Sequence, residues 1–400
     1  MGSRVCKAKD RVIGFVRANL YWIALTVAVL VGILVRLPGA DFVSGDYYWY
    51  LMPWYEEIKL NGLAYQVGNY NLVYQFLIWL MTKLPIPSLY AYKILSCIFD
   101  YALAFMVGLV VYNLTGKKGR WQALTSFVAV LLSPVVVLNS STWAQCDSIY
   151  VFFAVTALAF LIDDKYGRAM VFMGVALAFK LQAIFFLPAF GLTWLIKRRF
   201  SLLYFAIIPV AMILSGLPTA FFGRDLFDVV RIYLEQAGTY PYMALNYPSV
   251  WQLFVEEQYD VKMYELLKDP AIIITFAMLI AIVLFYAIRR TKARGDNVLM
   301  LTFITVYACV LLLPAMHERY SYGYEILAIC IACIRPKTAP LCIGLHTVTL
   351  LSYWPFLYGQ TPVSMDVLAI LNIVIFLAYF AITYLYIRQN DRVEAHLETN

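Results

Sequence analysis

Short polar segments with carboxylates or cations interrupt the apolar runs of this chain, and both types of side chain can support group transfer. The acids Asp41 and Asp46 stand in "DFVSGDYYWYLMPWY", residues 41–55, with no basic residue beside them. Lys180 stands alone in "FKLQ", and Arg319 follows a histidine and a glutamate in "HERY". A carboxylate can take the proton of a hydroxyl nucleophile, and cations can stabilise the charge of a departing phosphate.

Polar residues at membrane depth are costly, so each of them is a candidate for a functional site. The segments that carry them are "SGDY" (44–47), "STWAQCDS" (141–148), "FKLQ" (179–182), "LNYPSVWQ" (245–252) and "MHERYSY" (316–322). From these segments and their surroundings we take twelve candidate site residues: Asp41, Asp46, Trp143, Gln145, Asp147, Lys180, Gln182, Asn246, His317, Glu318, Arg319 and Tyr320.

Several of the candidates also have a purely structural interpretation, which the sequence leaves open. On this interpretation Asp46 is a solvated loop acid, and Asp147 is an acid at the start of the next helix. Trp143 is an interfacial anchor, and the side chain of Lys180 extends towards the membrane surface. His317 and Arg319 pair with Glu318 or another acid.

The composition is that of a polytopic membrane protein. Of the 400 residues, 63% are hydrophobic and 14% are charged, whereas a soluble domain is roughly half apolar and a quarter charged. The seven cysteines show no CxxC or Cys/His spacing, which gives no indication of zinc or a disulfide framework. HExxH, GxSxG and P-loop motifs are absent from the sequence, so peptidase, serine hydrolase and ATPase functions have no support.

The distribution of basic residues predicts the topology, because Lys and Arg in short loops mark the cytoplasmic side. The basic residues that give the net charge of +7 lie mainly in such clusters, and this distribution does not indicate nucleic-acid binding. Beyond the basic N-terminus, they are "KKGR" (117–120), "KYGR" (165–168), "KRR" (197–199), "RRTKAR" (289–294), "RPK" (335–337) and the tail after Arg388. Both termini are therefore predicted to be cytoplasmic, and all the polar segments above fall on the outer face.

The predicted fold is all-α, with about twelve transmembrane helices. The expected spans are 18–37, 89–112, 121–139, 148–163, 168–180, 182–196, 201–217, 269–288, 297–315, 321–335, 338–356 and 364–387. Residues 168–196 form a short hairpin whose bend, "FKLQ", is sunk below the outer surface. Residues 71–84 are too short to cross the roughly 30 Å hydrocarbon core, and a crossing there would invert every later basic cluster, so we predict an interfacial helix.

We predict one transmembrane domain over residues 1–400, built from three consecutive parts. Residues 18–217 form the catalytic module and include a first outer loop at 38–88. Residues 218–268 form a long outer loop, and residues 269–400 form a C-terminal helical module.

The ordered set of motifs resembles the GT-C superfamily of integral-membrane glycosyltransferases. It looks most like bacterial relatives of the GPI-anchor second mannosyltransferase, and it is also similar to the lumenal glucosyltransferases of the dolichol pathway. The motifs that carry the resemblance are "SGDY" with "PWY" (53–55), "NYNLVYQFLIWL" (69–80), "STWAQCDSIY" (141–150), the segment around "FKLQ", "NYPSVWQL" (246–253) and "HERY" (317–320).

The resemblance implies an enzyme that transfers a hexose, with mannose favoured, from a polyprenyl-phosphate donor. It implies inversion at the anomeric carbon, an active site on the non-cytoplasmic face of the cell membrane, and no cofactor or metal. The acceptor hydroxyl would belong to a glycolipid, a lipid-linked glycan or a wall polymer. The expected partners are therefore the donor, the acceptor and membrane lipid, with no nucleic acid.

The resemblance and the chemistry of the side chains together assign roles to the candidate residues. Asp46 matches the general base of the family, and Lys180, His317 and Arg319 are expected to hold the donor phosphate. Sugar or acceptor contacts are expected from Asp41, Trp143, Gln145, Asp147, Gln182, Asn246, Glu318 and Tyr320.

This chain departs from the family pattern at two places. The usual acid at the start of the segment 69–80 is Asn69 here, and the small residue in the family's "WGQ" is Ala144. No second catalytic carboxylate is therefore expected at position 69, and Asp41 or Asp147 is the candidate to assist Asp46.

Two other functional classes remain open at the level of sequence. A transporter or lipid flippase would also have many spans and intramembrane charges, with polar sites near the midplane and an inverted repeat. A non-catalytic subunit of a glycosylation complex is the third alternative.

Overall fold

The structure is a computed structural model that describes residues 2–236, 239–255, 259–289, 291 and 294–398, with side chains described from residue 18 to residue 390. Almost all of its regular structure is helical. The α-helices in the described residues are α1 (Gly2–Leu34), α2 (Met52–Asn61), α3 (Leu72–Met81), α4 (Ser88–Leu114), α5 (Arg120–Leu131), α6 (Pro134–Val137), α7 (Asp147–Ile162), α8 (Tyr166–Phe179), α9 (Leu187–Lys197), α10 (Ile207–Ser215), α11 (Leu217–Ala220), α12 (Asp228–Gln236), α13 (Val261–Ile288), α14 (Gly295–Leu312), α15 (Tyr322–Ile334), α16 (Ala339–Tyr358) and α17 (Met365–Glu398).

Short 3₁₀ or π turns join or extend these helices, and a single pair of two-residue strands completes the described secondary structure. The turns are Leu37–Gly39, Tyr47–Leu51, Leu138–Thr142, Leu181–Phe186, Leu202–Ala206, Val250–Phe254, Glu318–Ser321 and Pro336–Thr338. Strands β1 (Ala244–Leu245) and β2 (Met316–His317) run parallel, with Ala244 opposite Met316.

Six helices in the described residues are long and apolar enough to cross a membrane, which confirms an all-α, multi-pass architecture. They are Ala18–Gly39, Ser88–Leu114, Val261–Ile288, Gly295–Leu312, Pro336–Tyr358 and Met365–Asn390. A seventh span is formed if Arg120–Leu131 and Pro134–Thr142, which meet at a bend of 46°, cross together.

The count of twelve spans remains a prediction. A helix occupies each of the twelve predicted positions, but α7, α8, α9, α10 and α15 are shorter than a typical transmembrane helix. At 1.5 Å per residue, the 16 residues of α7 extend about 24 Å, against a hydrocarbon core of about 30 Å.

The predicted interfacial segment forms the short helix α3. Its ten residues would extend only about 15 Å, so it cannot cross a bilayer by itself. The helix starts after Asn71, whose side chain accepts a hydrogen bond from the backbone N–H of Leu72. Tyr74 and Ile78 on this helix pack with Tyr55 of α2 in a small apolar core, so α3 is part of the folded first loop.

The predicted bend at "FKLQ" coincides with a break between α8 and the following 3₁₀ turn. Lys180 has an extended backbone, with φ −154° and ψ 135°, at this break. The helix α13, in contrast, begins at Val261, eight residues before the predicted span at 269. Asp260 caps its N-terminus by accepting from the N–H groups of Lys262 and Met263, a signal that the hydropathy pattern did not capture.

The largest apolar core is built around α14, which lies among α7, α9, α13, α15 and α17. Most residues of α14 are buried. At the edge of this core, Arg36 donates from Nη2 to Oδ2 of Asp100 over 2.7 Å, and Ser140 donates to the same oxygen over 2.5 Å. These bonds connect the end of α1, the middle of α4 and the π turn that precedes Trp143.

Candidate functional site

A cavity of about 310 Å³ lies between the first loop, the "FKLQ" break and the "HERY" turn. Six of the twelve predicted residues line it: Asp46, Gln145, Lys180, Gln182, Arg319 and Tyr320. Asp147 and Trp143 lie behind its wall, where they bind Lys180 and Asp46 respectively. The fold therefore brings together side chains from four separate sequence motifs.

Asp46 is held at the cavity wall through one oxygen of its carboxylate. Oδ2 accepts a hydrogen bond of 2.8 Å from Nε1 of Trp143 and a second hydrogen bond from Nε2 of Gln145. Among the described residues no donor is bonded to Oδ1. Because Asp46 is 14% exposed and lines the cavity, this oxygen is placed to accept a proton from a bound molecule.

Gln145 is itself oriented by Tyr70. The Tyr70 hydroxyl donates to Oε1 of Gln145 over 2.9 Å, which directs the amide nitrogen towards Asp46. Burial raises the pKa of the Tyr70 phenol well above its usual range, so the hydroxyl stays protonated and acts as a donor.

The segment between α6 and α7 folds tightly enough to present Trp143 and Gln145 to the same carboxylate. The backbone N–H of Gln145 donates to the carbonyl of Asn139 over 2.9 Å, which closes the loop. Ala144 between them has φ +65°, a left-handed conformation that favours glycine. Ser44, two residues before Asp46, donates to the Trp143 carbonyl over 2.8 Å and joins the two segments.

Trp143 is fully buried, which contradicts its interpretation as an anchor at the membrane surface. Its ring stacks on Phe356 at a centroid distance of 4.7 Å and meets Tyr353 edge-on at 5.1 Å. This packing against α16 fixes the direction of the indole N–H, and thereby the position of the Asp46 carboxylate.

Lys180 forms a buried ion pair with Asp147. Its Nζ lies 2.5 Å from Oδ1 of Asp147, and Asn139 donates to the other oxygen over 2.9 Å. Because Lys180 is only 7% exposed, it does not extend to the membrane surface. Asp147 is the first residue of α7, as its structural interpretation predicted, and it also neutralises the lysine.

Arg319 is the second cation of the cavity, and it lies between two acids. Its Nη1 is 3.6 Å from Oδ2 of Asp46 and 3.5 Å from Oε1 of Glu318. Burial raises the pKa of Glu318 to about 7 although Arg319 opposes the shift. Both pairs are longer than a well-formed charged hydrogen bond, so the guanidinium retains capacity for an anionic ligand.

His317 does not contribute a cation at neutral pH. Burial, together with the charges of Arg319 and Lys180, holds its pKa well below the usual range. Its ring packs edge-on against Tyr240 at 4.8 Å, and it is not among the residues that line the cavity. Any contact of His317 with a phosphate would therefore come from a neutral imidazole.

Three further candidates lie beside the cavity wall or away from it. Asn246, with φ +55°, bridges to His317 at the end of the strand pair. Glu318 is buried behind Arg319. Asp41 is exposed and accepts a hydrogen bond of 2.6 Å from the Tyr90 hydroxyl, so the structure does not bring it to the cavity.

The cavity also contains residues that the sequence candidates did not include. They are Tyr50, Leu51, Trp54, Asn69, Tyr70, Asn71, Phe179, Leu181, Ile184, Phe185, Tyr233, Gln236, Thr239, Tyr240, Tyr264, Ala315 and Met316. Asn69 and Tyr70 stand in the motif "NYNLVYQFLIWL" (69–80), but neither carries a charge that would mark it as a candidate. Tyr233, Gln236 and Tyr240 belong to the long outer loop, for which the sequence offered Asn246 as the one candidate.

A metal site is not evident in the part of the chain that the structure describes. No three His, Cys, Asp or Glu side chains there are arranged to hold an ion together. Metal independence stays an expectation that rests on the resemblance.

The comparisons with known proteins do not assign the chain to a family. No model of a known protein family matches the chain, and no curated protein matches its sequence. The site must therefore be interpreted from its own chemistry and from the resemblance of its motifs.

Proposed function

We propose that this chain is a GT-C-type hexosyltransferase that uses a polyprenyl-phosphate-sugar donor. The observation that carries the proposal is that Asp46, Lys180 and Arg319 line one cavity. A positioned carboxylate beside two cations is the arrangement needed when a hydroxyl is the nucleophile and a phosphate is the leaving group.

The proposed reaction is a single displacement. The acceptor oxygen forms a bond to the anomeric carbon while its proton passes to Oδ1 of Asp46. The bond between the anomeric carbon and the phosphate oxygen breaks, and the electron pair leaves with the polyprenyl phosphate. Attack from the side opposite the phosphate inverts the anomeric centre.

The two cations have different tasks in this proposal. Arg319 makes only long contacts with its acids, so it can turn towards the phosphate as charge develops. The ammonium of Lys180 has three N–H donors, of which one engages Asp147. The remaining two can bind phosphate oxygens without breaking the buried pair.

The location of the protein belongs to the same proposal. We place it in the cell membrane with both termini cytoplasmic and the cavity opening to the outer face, as the basic loops predict. The sugar is mannose by resemblance, and the acceptor is a hydroxyl of a glycolipid, a lipid-linked glycan or a wall polymer.

A transporter or flippase is the rival function. The cavity is lined chiefly by loop segments and by residues at helix ends, including Asp46, Asn69 and Tyr240. A transport site would be expected between discontinuous helices at the bilayer midplane. This difference favours the enzyme.

The test is product formation by purified protein. Radiolabelled polyprenyl-phosphate-mannose and polyprenyl-phosphate-glucose are each incubated with a panel of glycolipid, lipid-linked glycan and wall-polymer acceptors. The proposal expects a labelled product with a new glycosidic bond, inverted relative to the donor. Movement of intact donor between the leaflets of proteoliposomes, without a new bond, would instead support the transporter.

A further inference from the structure

We propose that Asn69 and Gln182 form a hydroxyl-binding subsite for the hexose of the donor, an inference that rests on the proposed function. Both residues line the cavity. The side-chain oxygens Oδ1 of Asn69 and Oε1 of Gln182 are buried, and neither has a hydrogen-bond partner within the described part of the chain. Buried polar atoms are nearly always paired in folded proteins, so two unpaired acceptors in one cavity point to a ligand that supplies the donors.

The two amides flank the cation that we assign to the phosphate. Gln182 follows Lys180 by two residues, across the break after α8. Asn69 precedes Tyr70, and Nζ of Lys180 lies over the Tyr70 ring at 5.7 Å from its centroid. A group bonded directly to a phosphate at Lys180 would therefore be close to both amides.

The type of hydrogen bond separates a sugar from a phosphate. Ionised phosphate oxygens only accept hydrogen bonds, so they cannot pair with the two amide oxygens. A hexose hydroxyl donates one hydrogen bond and accepts others, which matches Asn69 and Gln182. The unpaired buried Nε of Arg319 adds a donor to the same cavity.

The loop that carries Asn69 is held in place before any ligand binds. The side chain of Gln236, on α12, donates to the Asn69 backbone carbonyl, and Asn71 donates to the carbonyl of Val229 over 2.9 Å. These bonds leave the Asn69 side-chain oxygen available.

The experiment compares the lipid phosphate with and without its sugar. Dissociation constants are measured for polyprenyl phosphate and for the same lipid carrying mannose or glucose, with wild type, Asn69→Leu and Gln182→Met. Each substitution removes an acceptor while nearly conserving size. We expect affinity for a sugar-bearing lipid to fall on the order of tenfold per variant, with unchanged affinity for polyprenyl phosphate.

Charged variants provide a second readout, because they separate the loss of the acceptor oxygen from a change of charge. Asn69→Asp and Gln182→Glu keep an acceptor oxygen but add a negative charge near Lys180. Both lipids should then bind more weakly, while the preference for the sugar-bearing lipid is retained.

Gln122→Met is the matched control for Gln182→Met, because Gln122 is exposed and does not line the cavity.

The outcomes separate this subsite from the proposed function. Equal loss of both lipids, or no change, in Asn69→Leu and Gln182→Met overturns the subsite and leaves the phosphate assignment standing. A wild type that binds neither class of lipid overturns the donor itself.

Discussion

The indole Nε1 of Trp143 donates a 2.8 Å hydrogen bond to Oδ2 of Asp46, across 97 residues of sequence. Gln145, two residues further along the chain, donates to the same oxygen. The carboxylate is therefore fixed on one side and open on the other. This asymmetry distinguishes a positioned general base from an acid that is merely solvated in a loop.

The buried pair of Lys180 and Asp147 makes the simple lysine variant hard to interpret. Lys180→Met leaves the Asp147 carboxylate buried without its cation, and we expect the free energy of unfolding to fall by about 3–5 kcal/mol. Thermal unfolding in detergent measures this change. The double variant Lys180→Met/Asp147→Asn has no charge at either position and should recover most of the lost stability.

The double variant then tests the phosphate role without the stability defect. It should still bind polyprenyl phosphate at least tenfold more weakly than wild type, since the ammonium is gone. If it binds this lipid as wild type does, Lys180 is a structural residue and the phosphate has been misplaced.

Ala144 occupies a backbone conformation that suits glycine. At φ +65° an alanine is strained by about 1–2 kcal/mol, and glycine would relieve this strain at an entropic cost of about 0.5–1 kcal/mol. Ala144→Gly should therefore raise the free energy of unfolding by up to about 1 kcal/mol. Ala154→Gly, at a buried position of α7, is the matched control and should lower it by about 1 kcal/mol. Equal losses in the two variants would show that the conformation at position 144 is not strained.

The buried carboxyl group of Glu318 should make the stability of the protein depend on pH. Its folded pKa is about 7, raised by burial from 4.5. The unfolded chain thus binds fewer protons than the folded chain between these values, and stability from this group is present below pH 4.5 and lost as pH rises to 7. Glu318→Gln is neutral throughout, so its stability relative to wild type should rise across this window by up to about 3 kcal/mol.

Thermal unfolding of both proteins from pH 4.5 to pH 8 checks this expectation. Glu57→Gln is the control, because that side chain is exposed. A stability difference between Glu318→Gln and wild type that does not vary with pH would mean that Glu318 is ionised throughout the range.

Local features of the fold were accessible from the sequence. Apolar runs predicted the helix positions, and the shortness of the two apolar arms on either side of "FKLQ" predicted the bend at Lys180. The start of α7 at Asp147 followed from the preference of acids for helix N-termini. The helix α13 begins eight residues before the span predicted at 269, since the cap at Asp260 precedes the apolar run.

Long-range pairing was not accessible, and it determines the chemistry of the site. The sequence indicated Lys180 and Asp147 as separate candidates. Because 33 residues of chain separate them, no local pattern indicated their ion pair. The neutral state of His317 depends on its burial beside two cations, which no local pattern reveals. Apart from Gln145, Gln182 and Tyr320, the uncharged polar residues of the cavity were missed because amides and phenols are common throughout the chain.

The most direct test of the account is the rate of sugar transfer by Asp46→Asn. Asparagine keeps the size of the side chain and can occupy the same place beside Trp143, but it cannot take the proton. Loss of a positioned general base typically slows a reaction by about 10² to 10⁴. We predict that the variant folds, binds polyprenyl-phosphate-mannose with nearly wild-type affinity, and transfers the sugar at least a hundredfold more slowly. Transfer at a near-normal rate would contradict the assignment of Asp46 as the base.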